Sequence, residues 1–230
     1  MSRLPTGQEK HRAVREMFDK IAPRYDLMNR LITLGLDQRW RRDALGRVGV
    51  GPGDRVIDLA CGTGDLSEQA AARGARVMGI DFAGEMLRGA RARGIDAAFV
   101  RADGAALPLA DGCASVVTCG FALRNFVSLP EIFAELARVL DRGGRIALIE
   151  VDRPRSGIVR GAHSLYFDRL VPLLGGLLSD RQAYRYLPES TAYLPTAEEL
   201  HAMLAKAGFG SIEKKGLMLG AAQILTAVKT

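Results

Sequence analysis

The chain of 230 residues is poor in cysteine and lacks the short motifs of several enzyme classes. Its three cysteines, Cys61, Cys113 and Cys119, are odd in number and form no CxxC pair, which argues against a disulfide framework or a zinc site. We expect them to pack as small hydrophobic side chains. No HExxH or GxSxG motif occurs, so we predict neither a metalloprotease nor a serine hydrolase, and no metal site.

Aromatic residues and runs of one charge are also scarce. Aromatics make up 6% of the chain and no run of five like charges occurs, although the net charge is +6. This pattern argues against nucleic-acid binding and favours a solvated arginine-rich surface. Residues 170–178 are apolar but hold a proline and two glycines, and they are too few to span a bilayer. The N-terminal start is polar and lacks an apolar signal core, and the cysteine usage favours a reducing cytoplasm.

The chain does contain apolar runs that alternate with segments of helical periodicity. Three helices are predicted first, at residues 9–21, from Pro23 onward and at 36–48, forming an N-terminal helical segment over residues 1–50. Strands are predicted at 55–60, 76–81, 96–101, 115–121 and 145–151, with helices at 65–73, 83–93 and 129–140 between them. Repeated strand–helix units predict an α/β fold with a mostly parallel sheet.

The pattern changes near the end of the chain. We expect residues 142–144 to stop the preceding helix, and residues 152–195 to form a helical insertion over one end of the sheet. Thr196 and Glu199 form a capping-box sequence for a helix that reaches about residue 207. Two final strands, at 211–216 and 220–229, are predicted to pair as a hairpin.

A glycine turn after the first strand marks a candidate ligand site. Gly62, Thr63 and Gly64 follow an apolar strand that contains Asp58, and a helix-compatible stretch comes next. Such a turn brings the backbone close to a ligand and points helix-terminal N–H groups at it. Asp81 closes the second strand, where an acid in α/β nucleotide folds accepts hydrogen bonds from ribose hydroxyls.

The same turn lacks two features of a pyrophosphate site. Ser67 stands where the third glycine of GxGxxG would be, and Asp65 places a negative charge at the helix N-terminus. A carboxylate there suits the helix dipole but repels phosphate. We therefore predict a nucleoside ligand without phosphates. S-adenosylmethionine is such a ligand, and Asp58 and Asp65 would complement its cationic sulfonium and amino groups.

Polar residues also follow the third and fourth strands. Asp103 is positioned to accept a hydrogen bond from an adenine amino group, with a turn cap as the alternative. Arg124 and Asn125 arrive between apolar residues at a strand end, where α/β sheets bind ligands. A surface turn is the alternative there. His11 is predicted to lie on the surface.

Several stretches resemble the successive motifs of class I S-adenosylmethionine-dependent methyltransferases, among them VIDLACGTGDLS, GIDFAGEML and ELARVLDRGGRIALIE. Others resemble more narrowly the C-methyltransferases of ubiquinone and menaquinone biosynthesis. These are MFDKIAPRYDLMNRLITLGLDQRWRR, FALRN, YRYLPEST and PTAEELHAMLAKAGF. The resemblance covers about residues 14–229. It implies a Rossmann-like seven-stranded sheet, with the methyltransferase domain over residues 51–230.

The resemblance also implies which residues hold the cofactor. The implied contacts are Thr63, Asp81, Asp103, Gly104 and Gly120. The further candidates for cofactor binding are Asp58, Gly62, Gly64 and Phe82. Position 120 is commonly serine in the family, so Gly120 would contribute backbone only. The implied reaction moves a methyl group from S-adenosylmethionine to a ring carbon of a prenylated hydroquinone.

Three residues are candidates for catalysis. Arg124 is too basic to accept a proton, so we expect it to stabilise the phenolate electrostatically. Asn125 and Tyr25 are expected to hydrogen-bond the ring oxygens or relay a proton through water. Asp26 is a candidate base, with a carboxylate at a helix N-terminus as the alternative.

The acceptor itself is less sharply defined. Demethylmenaquinol is favoured, with a methoxybenzoquinol of ubiquinone synthesis or a small soluble phenol as alternatives. Residues 158–179 would cover the prenyl tail or contact an anionic membrane peripherally. Core packing or a homodimer interface is the alternative for this apolar segment.

Overall fold

The computed structural model describes residues 5–152, 186 and 189–230. Three helices precede the first strand, as predicted: α1 (Gly7–Ile21), α2 (Tyr25–Thr33) and α3 (Leu36–Arg47). Pro23 does not open the second helix but lies in a single 3₁₀ turn, Ala22–Arg24, that joins α1 to α2. Most of the predicted insertion, residues 153–185, lies outside the described residues.

The sheet has seven strands in the order β3-β2-β1-β4-β5-β7-β6. Their bounds are β1 Arg55–Leu59, β2 Arg76–Asp81, β3 Ala98–Arg101, β4 Ala114–Gly120, β5 Leu140–Val151, β6 Phe209–Leu217 and β7 Ala222–Lys229. The first five strands are parallel, and β7 runs antiparallel to both β5 and β6. The predicted α/β class and the C-terminal hairpin are thereby confirmed.

Within residues 34–152 and 191–230, the remaining α-helices cover both faces of the sheet. They are α4 (Asp65–Ala71), α5 (Gly84–Ala92), α6 (Leu129–Val139) and α7 (Ala197–Lys206). Alternate residues of the central strands point to opposite faces. Thus Ile57 and Val117 pack with α6 and α7, whereas Val56 and Val116 pack with α3 and α4. This double burial explains why the strand sequences are almost continuously apolar.

Two predictions about helix ends have different outcomes. The capping box is confirmed, since Thr196 Oγ1 accepts from the Glu199 N–H at 3.2 Å and Glu199 Oε2 accepts from the Thr196 N–H at 2.7 Å. The prediction that residues 142–144 end the preceding helix is wrong, because α6 ends at Val139 and the chain continues directly into β5. The glycine pair sits in an irregularity within that strand, where the register with β4 shifts.

The chain reverses its strand order between β1 and β4. After β1 it proceeds outward to β2 and β3, then returns so that β4 lies on the other side of β1. The carboxyl ends of β1 and β4 therefore flank a crevice, which is where open α/β sheets bind ligands. Among the described residues, no helix combines the length and apolarity that crossing a bilayer requires.

Candidate active site

Three cavities meet at the carboxyl ends of the strands. The strand-end cavity is lined by residues at or just after the ends of β1 to β4, including Asp81, Asp103 and Gly120, and by side chains of α1 and α2. The helix cavity is lined chiefly by α1, α2 and α3 and by the residues after β4. Both contain Phe18, Tyr25, Phe121 and Asn125. A smaller loop pocket beside the glycine turn contains Tyr25, Arg41, Asp58, Thr63 and Gly120.

Unusual backbone conformations mark the centre of this region. Ala60 directly follows β1 with φ +52°, and Phe121 directly follows β4 with φ +60°. Positive φ is uncommon for residues other than glycine, and such conformations cluster at functional sites. Ala60 and Phe121 both line the strand-end cavity. The two strands that flank the crevice thus end in the same strained way, and both turns open onto the cavity.

Asp81 holds the glycine turn in place. Its Oδ2 accepts from the Gly62 N–H at 2.8 Å, and its Oδ1 accepts from the Ala83 N–H at 2.9 Å. Burial raises the pKa of this carboxyl to about 6. Asp81 and its neighbour Phe82 both line the strand-end cavity. The acid predicted at the end of β2 is therefore at the ligand crevice and is fixed by backbone donors.

The end of β3 carries a second carboxylate into the cavity. Asp103 Oδ1 accepts from the Ala105 N–H at 3.0 Å, so the side chain does cap a turn. Its Oδ2 lies 3.1 Å from His11 Nε2 of α1, and the His11 ring packs edge-on against Phe82 at 5.2 Å. Gly104 lines the same cavity. His11, predicted on the surface, instead belongs to the site, and no local sequence signal linked it to Asp103.

The two glycines of the turn have structural roles that the sequence analysis did not predict. Neither Gly62 nor Gly64 lines any of the three cavities. Gly64 has φ +88°, and a Cβ there would lie 2.7 Å from Ile95 Cδ1 and 3.4 Å from Phe99 Cζ. It is needed for the turn and for close packing of α4 on its neighbours. Gly62 acts through its N–H, which orients Asp81.

The other loop residues lie around the loop pocket. Thr63 is buried, and its hydroxyl donates to Asp26 Oδ1 at 2.5 Å. Asp26 lies in the first turn of α2 and ties that helix to the glycine turn, which fits the alternative to a base. Asp58 is buried and accepts from Ser67 Oγ at 2.7 Å and Thr118 Oγ1 at 3.1 Å. Burial raises the pKa of Asp58 to about 6.

Asp65 lines the loop pocket, but its charge is already compensated within the protein. It accepts hydrogen bonds from Gln38 at 2.8 Å and Arg93 at 2.9 Å, and Arg30 and Arg41 approach within 3.6 Å. Burial acts to raise its pKa, but Arg41, Arg93 and Arg30 together hold the pKa below its ordinary value. Asp65 thus has protein partners for its charge, and the expectation that it complements a cationic ligand stays a prediction.

A buried ion pair fixes the segment after β4. Arg124 pairs with Glu150 of β5, which is fully buried, and also donates to the Phe121 carbonyl at 2.8 Å and to Ser190 Oγ at 3.2 Å. A second Glu150 oxygen accepts from the Arg124 N–H at 3.1 Å. The sequence analysis did not single out Glu150, although it ends the stretch ELARVLDRGGRIALIE, because nothing in the local sequence links it to Arg124.

Asn125 and Tyr25 stand where the cavities meet. Asn125 lines both large cavities, and its Oδ1 accepts from the Tyr186 hydroxyl at 3.3 Å. Tyr25 lines all three cavities. Burial raises the pKa of Tyr25 above its ordinary value, so its hydroxyl stays protonated at neutral pH. Tyr25 is thus a hydrogen-bond donor rather than a base. Arg124 lines the helix cavity but neither the strand-end cavity nor the loop pocket.

Comparison with known proteins identifies the family of the chain. A family model for the ubiE/COQ5 methyltransferase family matches residues 6–229. The chain belongs to this family. It is 46% identical over 215 residues to a demethylmenaquinone methyltransferase of Thermus thermophilus, which covers 90% of this chain and 97% of the relative. It is 35% identical over 230 residues to a ubiquinone/menaquinone biosynthesis C-methyltransferase, UbiE, of Geotalea daltonii, covering 96% and 98%.

A solved structure supports the fold independently of close sequence similarity. A putative S-adenosylmethionine-dependent methyltransferase of Methanococcus maripaludis superimposes with a TM-score of 0.66 at 18% identity, covering 100% of this chain and 97% of that one. This family member therefore has the class I methyltransferase fold and is an S-adenosylmethionine-dependent C-methyltransferase, as the resemblance implied.

The described residues fit such a cofactor. The strand-end cavity offers the Asp81 and Asp103 carboxylates beside apolar walls that include Leu59, Ile80 and Phe82. Hydroxyl and amino donors of an adenosine match the carboxylates, and its flat base matches the apolar walls. The loop pocket continues this cavity, since Tyr25, Ala60 and Gly120 line both.

Proposed function

We propose that this enzyme methylates a ring carbon of demethylmenaquinol, with the methyl donor in the strand-end cavity and the quinol ring in the helix cavity. The observation that carries the proposal is the junction of the two cavities at Phe18, Tyr25, Phe121 and Asn125. S-adenosylmethionine, when bound, supplies an electrophilic methyl group on a positively charged sulfur. Ligands placed on either side of this junction would meet at it, which is the positioning that methyl transfer requires.

The donor side uses the ends of β1, β2, β3 and β4. We assign ribose recognition to Asp81 and adenine recognition to Asp103 with Phe82 and Gly104, because these residues share one cavity. Asp58, Thr63 and Gly120 border the loop pocket and are assigned to the amino-acid end. Gly62 and Gly64 act indirectly, by orienting Asp81 and by allowing the turn to pack.

The acceptor side is mostly apolar, with several polar side chains in its lining. Ile21, Ile32 and Trp40 contribute to the apolar wall, whereas Arg124 and Asn125 bring polar groups. Tyr25 and Asn125 are assigned to hydrogen bonds with the ring oxygens. Glu150 fixes the Arg124 guanidinium and offsets part of its charge, so Arg124 contributes both phenolate stabilisation and the shape of the loop.

The prenyl tail is assigned to an apolar rim of the helix cavity. Leu27, Leu31 and Leu34 are exposed on and just after α2, at the spacing of one helix face. Met218 and Leu219, in the turn between β6 and β7, are exposed too, and Met218 lines the helix cavity. Exposed apolar groups beside a cavity suit a lipid surface. Residues 158–179, the segment predicted to cover the tail, lie outside the described residues.

Liposome flotation tests whether these exposed apolar residues contact a membrane surface. Wild-type protein is expected to float with anionic liposomes, and the double variant Leu34→Asp/Leu219→Asp to remain at the bottom. Ala205→Asp, on the exposed side of α7, adds charge elsewhere and should float like the wild type. Absence of the wild type from the floated fraction at low salt would remove the membrane proposal and leave the reaction untouched.

One assay tests the reaction. Purified protein is given labelled S-adenosylmethionine with prenylated demethylmenaquinol, prenylated methoxybenzoquinol or a tail-less quinol, and the products are identified by mass. Label in a ring-methylated menaquinol is the expected result, with the tail-less quinol a poorer acceptor. Preference for the methoxybenzoquinol would assign the enzyme to ubiquinone synthesis, as the name of the Geotalea relative allows. Equal use of tail-less and prenylated quinols would instead indicate a small-phenol methyltransferase.

A further inference from the structure

The loop pocket contains an arginine that the reaction described so far does not use. Arg41 lies in α3 with 5% of its surface exposed, and it lines both the loop pocket and the helix cavity. Its guanidinium lies 5.5 Å from the centre of the Phe121 ring, at the strained turn after β4. A guanidinium is therefore held at the point where the donor and acceptor regions adjoin.

Gly120 leaves the space that this guanidinium occupies. A Cβ at position 120 would lie 2.8 Å from Arg41 Nη1 and 3.1 Å from Leu66 Cδ1. The first distance is shorter than van der Waals contact allows, so a side chain at position 120 would displace the arginine or be displaced by it. The glycine thus leaves room for Arg41 in its present position, where the residue borders the loop pocket and the helix cavity.

The hydrogen-bonding capacity of Arg41 is incompletely used. Its Nε lies 3.7 Å from Asp37 Oδ2 and 3.6 Å from Asp65 Oδ2, both beyond hydrogen-bond distance. Among the residues that the structure describes, this buried Nε has no hydrogen-bond partner. The two carboxylates are occupied elsewhere, Asp37 by Thr33 and Gln38, and Asp65 by Gln38 and Arg93. A buried donor without an acceptor is costly, which points to a ligand that supplies one.

The pocket around Arg41 suits a zwitterion. Asp58 places a buried carboxylate on the same wall, and the Thr63 hydroxyl lies nearby. A ligand that carries both a carboxylate and an ammonium group would match Arg41 and Asp58 at once. The amino-acid end of S-adenosylmethionine carries these two groups, and the loop pocket adjoins the cavity assigned to its adenosine.

We infer that Arg41 binds the carboxylate of the methionine moiety of the methyl donor, in the loop pocket beside Gly120. The inference rests on the proposed placement of the donor and adds a binding residue to it. Arginine is suited to this task because its planar fork meets both carboxylate oxygens. Arg41 then replaces, from a distant helix, the side-chain contact that a serine at position 120 would supply.

The test compares two ligands that differ only at the amino-acid end. Binding of S-adenosylhomocysteine and of 5′-methylthioadenosine, which lacks the carboxylate and amino groups, is measured by calorimetry for the wild type, Arg41→Gln and Arg42→Gln. Arg42 is the exposed neighbour of Arg41 on the same helix and serves as the matched control. We expect Arg41→Gln to weaken S-adenosylhomocysteine binding about ten- to hundredfold and to leave methylthioadenosine binding within about twofold. Arg42→Gln should change neither.

Two results would overturn the inference while leaving the proposed function standing. One is unchanged affinity of Arg41→Gln for S-adenosylhomocysteine, and the other is an equal loss for both ligands, which a purely structural role of Arg41 would produce. Failure of the wild type to bind S-adenosylhomocysteine at all would instead overturn the donor placement, and this inference with it.

A second measurement covers the case in which Arg41→Gln does not fold. Wild-type protein is compared for S-adenosylmethionine and its decarboxylated form, which keeps the sulfonium and the amino group. Loss of the ligand carboxylate should cost wild type about the same factor as loss of the guanidinium. Equal affinity of the wild type for the two ligands would overturn the inference without any variant.

Discussion

The strand-end cavity and the helix cavity are built in opposite ways. The first is formed mainly by residues at the ends of β1, β2, β3 and β4, so Asp81 and Asp103 stand at fixed places in the α/β pattern, with side chains from α1 and α2 added to them. The second gathers residues from α1, α2, α3, the end of β4 and the turn before β7. Yet the two cavities share the side chains at which transfer takes place in our proposal. The fold thus provides a standard donor site, and the N-terminal helices add the acceptor site to it.

The largest expected effect concerns the ion pair that supports the helix cavity. Glu150→Ala would leave the Arg124 guanidinium buried without its counter-charge. Removing one partner of a buried pair costs about 3–5 kcal/mol. We expect this loss in the free energy of unfolding, measured by urea denaturation. The double variant Arg124→Met/Glu150→Leu should recover much of it, and a loss below about 1 kcal/mol for Glu150→Ala would show that the pair is not structural.

The next prediction separates the two cavities by comparing turnover with donor affinity. Asn125→Ala should lower turnover about 10²–10³-fold, because an aligned hydrogen bond to the developing charge is lost. Affinity for S-adenosylhomocysteine should stay near that of the wild type. Single-turnover kinetics and calorimetry measure the two quantities separately. A parallel loss of turnover and donor affinity would place Asn125 on the donor side only.

A smaller effect is expected for the donor side alone. Asp81→Ala removes the proposed acceptor for the ribose hydroxyls and releases the Gly62 N–H. Hydrogen bonds to a charged group are worth about 1.5–3 kcal/mol, which corresponds to about a ten- to hundredfold rise in the dissociation constant of S-adenosylhomocysteine. Calorimetry checks this. Asp96→Ala is a control on the surface away from the cavities, and equal affinities for the two variants would contradict the assignment.

The smallest effect is a pH dependence of donor binding. Burial raises the pKa of Asp81 to about 6, from an ordinary value of 3.8. As pH falls through 6 the carboxyl gains a proton and loses acceptor capacity, so affinity for S-adenosylhomocysteine should fall by about tenfold per pH unit at most. Calorimetry between pH 5 and 8 measures this dependence, and Asp81→Asn should flatten it. A wild-type profile as flat as that of the variant would show that Asp81 does not titrate in this range.

The raised pKa values of buried carboxyl groups also affect stability, which they lower as pH rises. Because the folded-state pKa values of Asp58 and Asp81 are raised, their contribution to stability is fully present below about pH 4 and is lost as pH rises through about 6. The ligand-free Asp58→Asn and Asp81→Asn variants should therefore lose less stability than the wild type as pH rises from 5 to 7. Urea denaturation at both values checks this comparison.

The sequence by itself determined the strand–helix alternation, the sheet class, the capping box and the placement of Asp81 and Asp103 at strand ends. These features follow from local periodicity and from the rule that parallel strands end at one edge of the sheet. Gly64 shows the limit of the same reasoning. Its place in the turn is visible in the sequence, but only the fold shows that it faces Ile95 and Phe99.

Only the tertiary structure decided which distant side chains meet. It brought His11 to Asp103, Glu150 to Arg124, and the Arg41 guanidinium into the space above Gly120. It also gave Asp65 the partners Arg41 and Arg93, which compensate its charge within the protein. The residues in these contacts are far apart in the sequence. Arg41 and Asp65 are 24 positions apart, and His11 and Asp103 are 92 positions apart. Their free energies depend on burial and on the positions of neighbouring charges, neither of which a local pattern records.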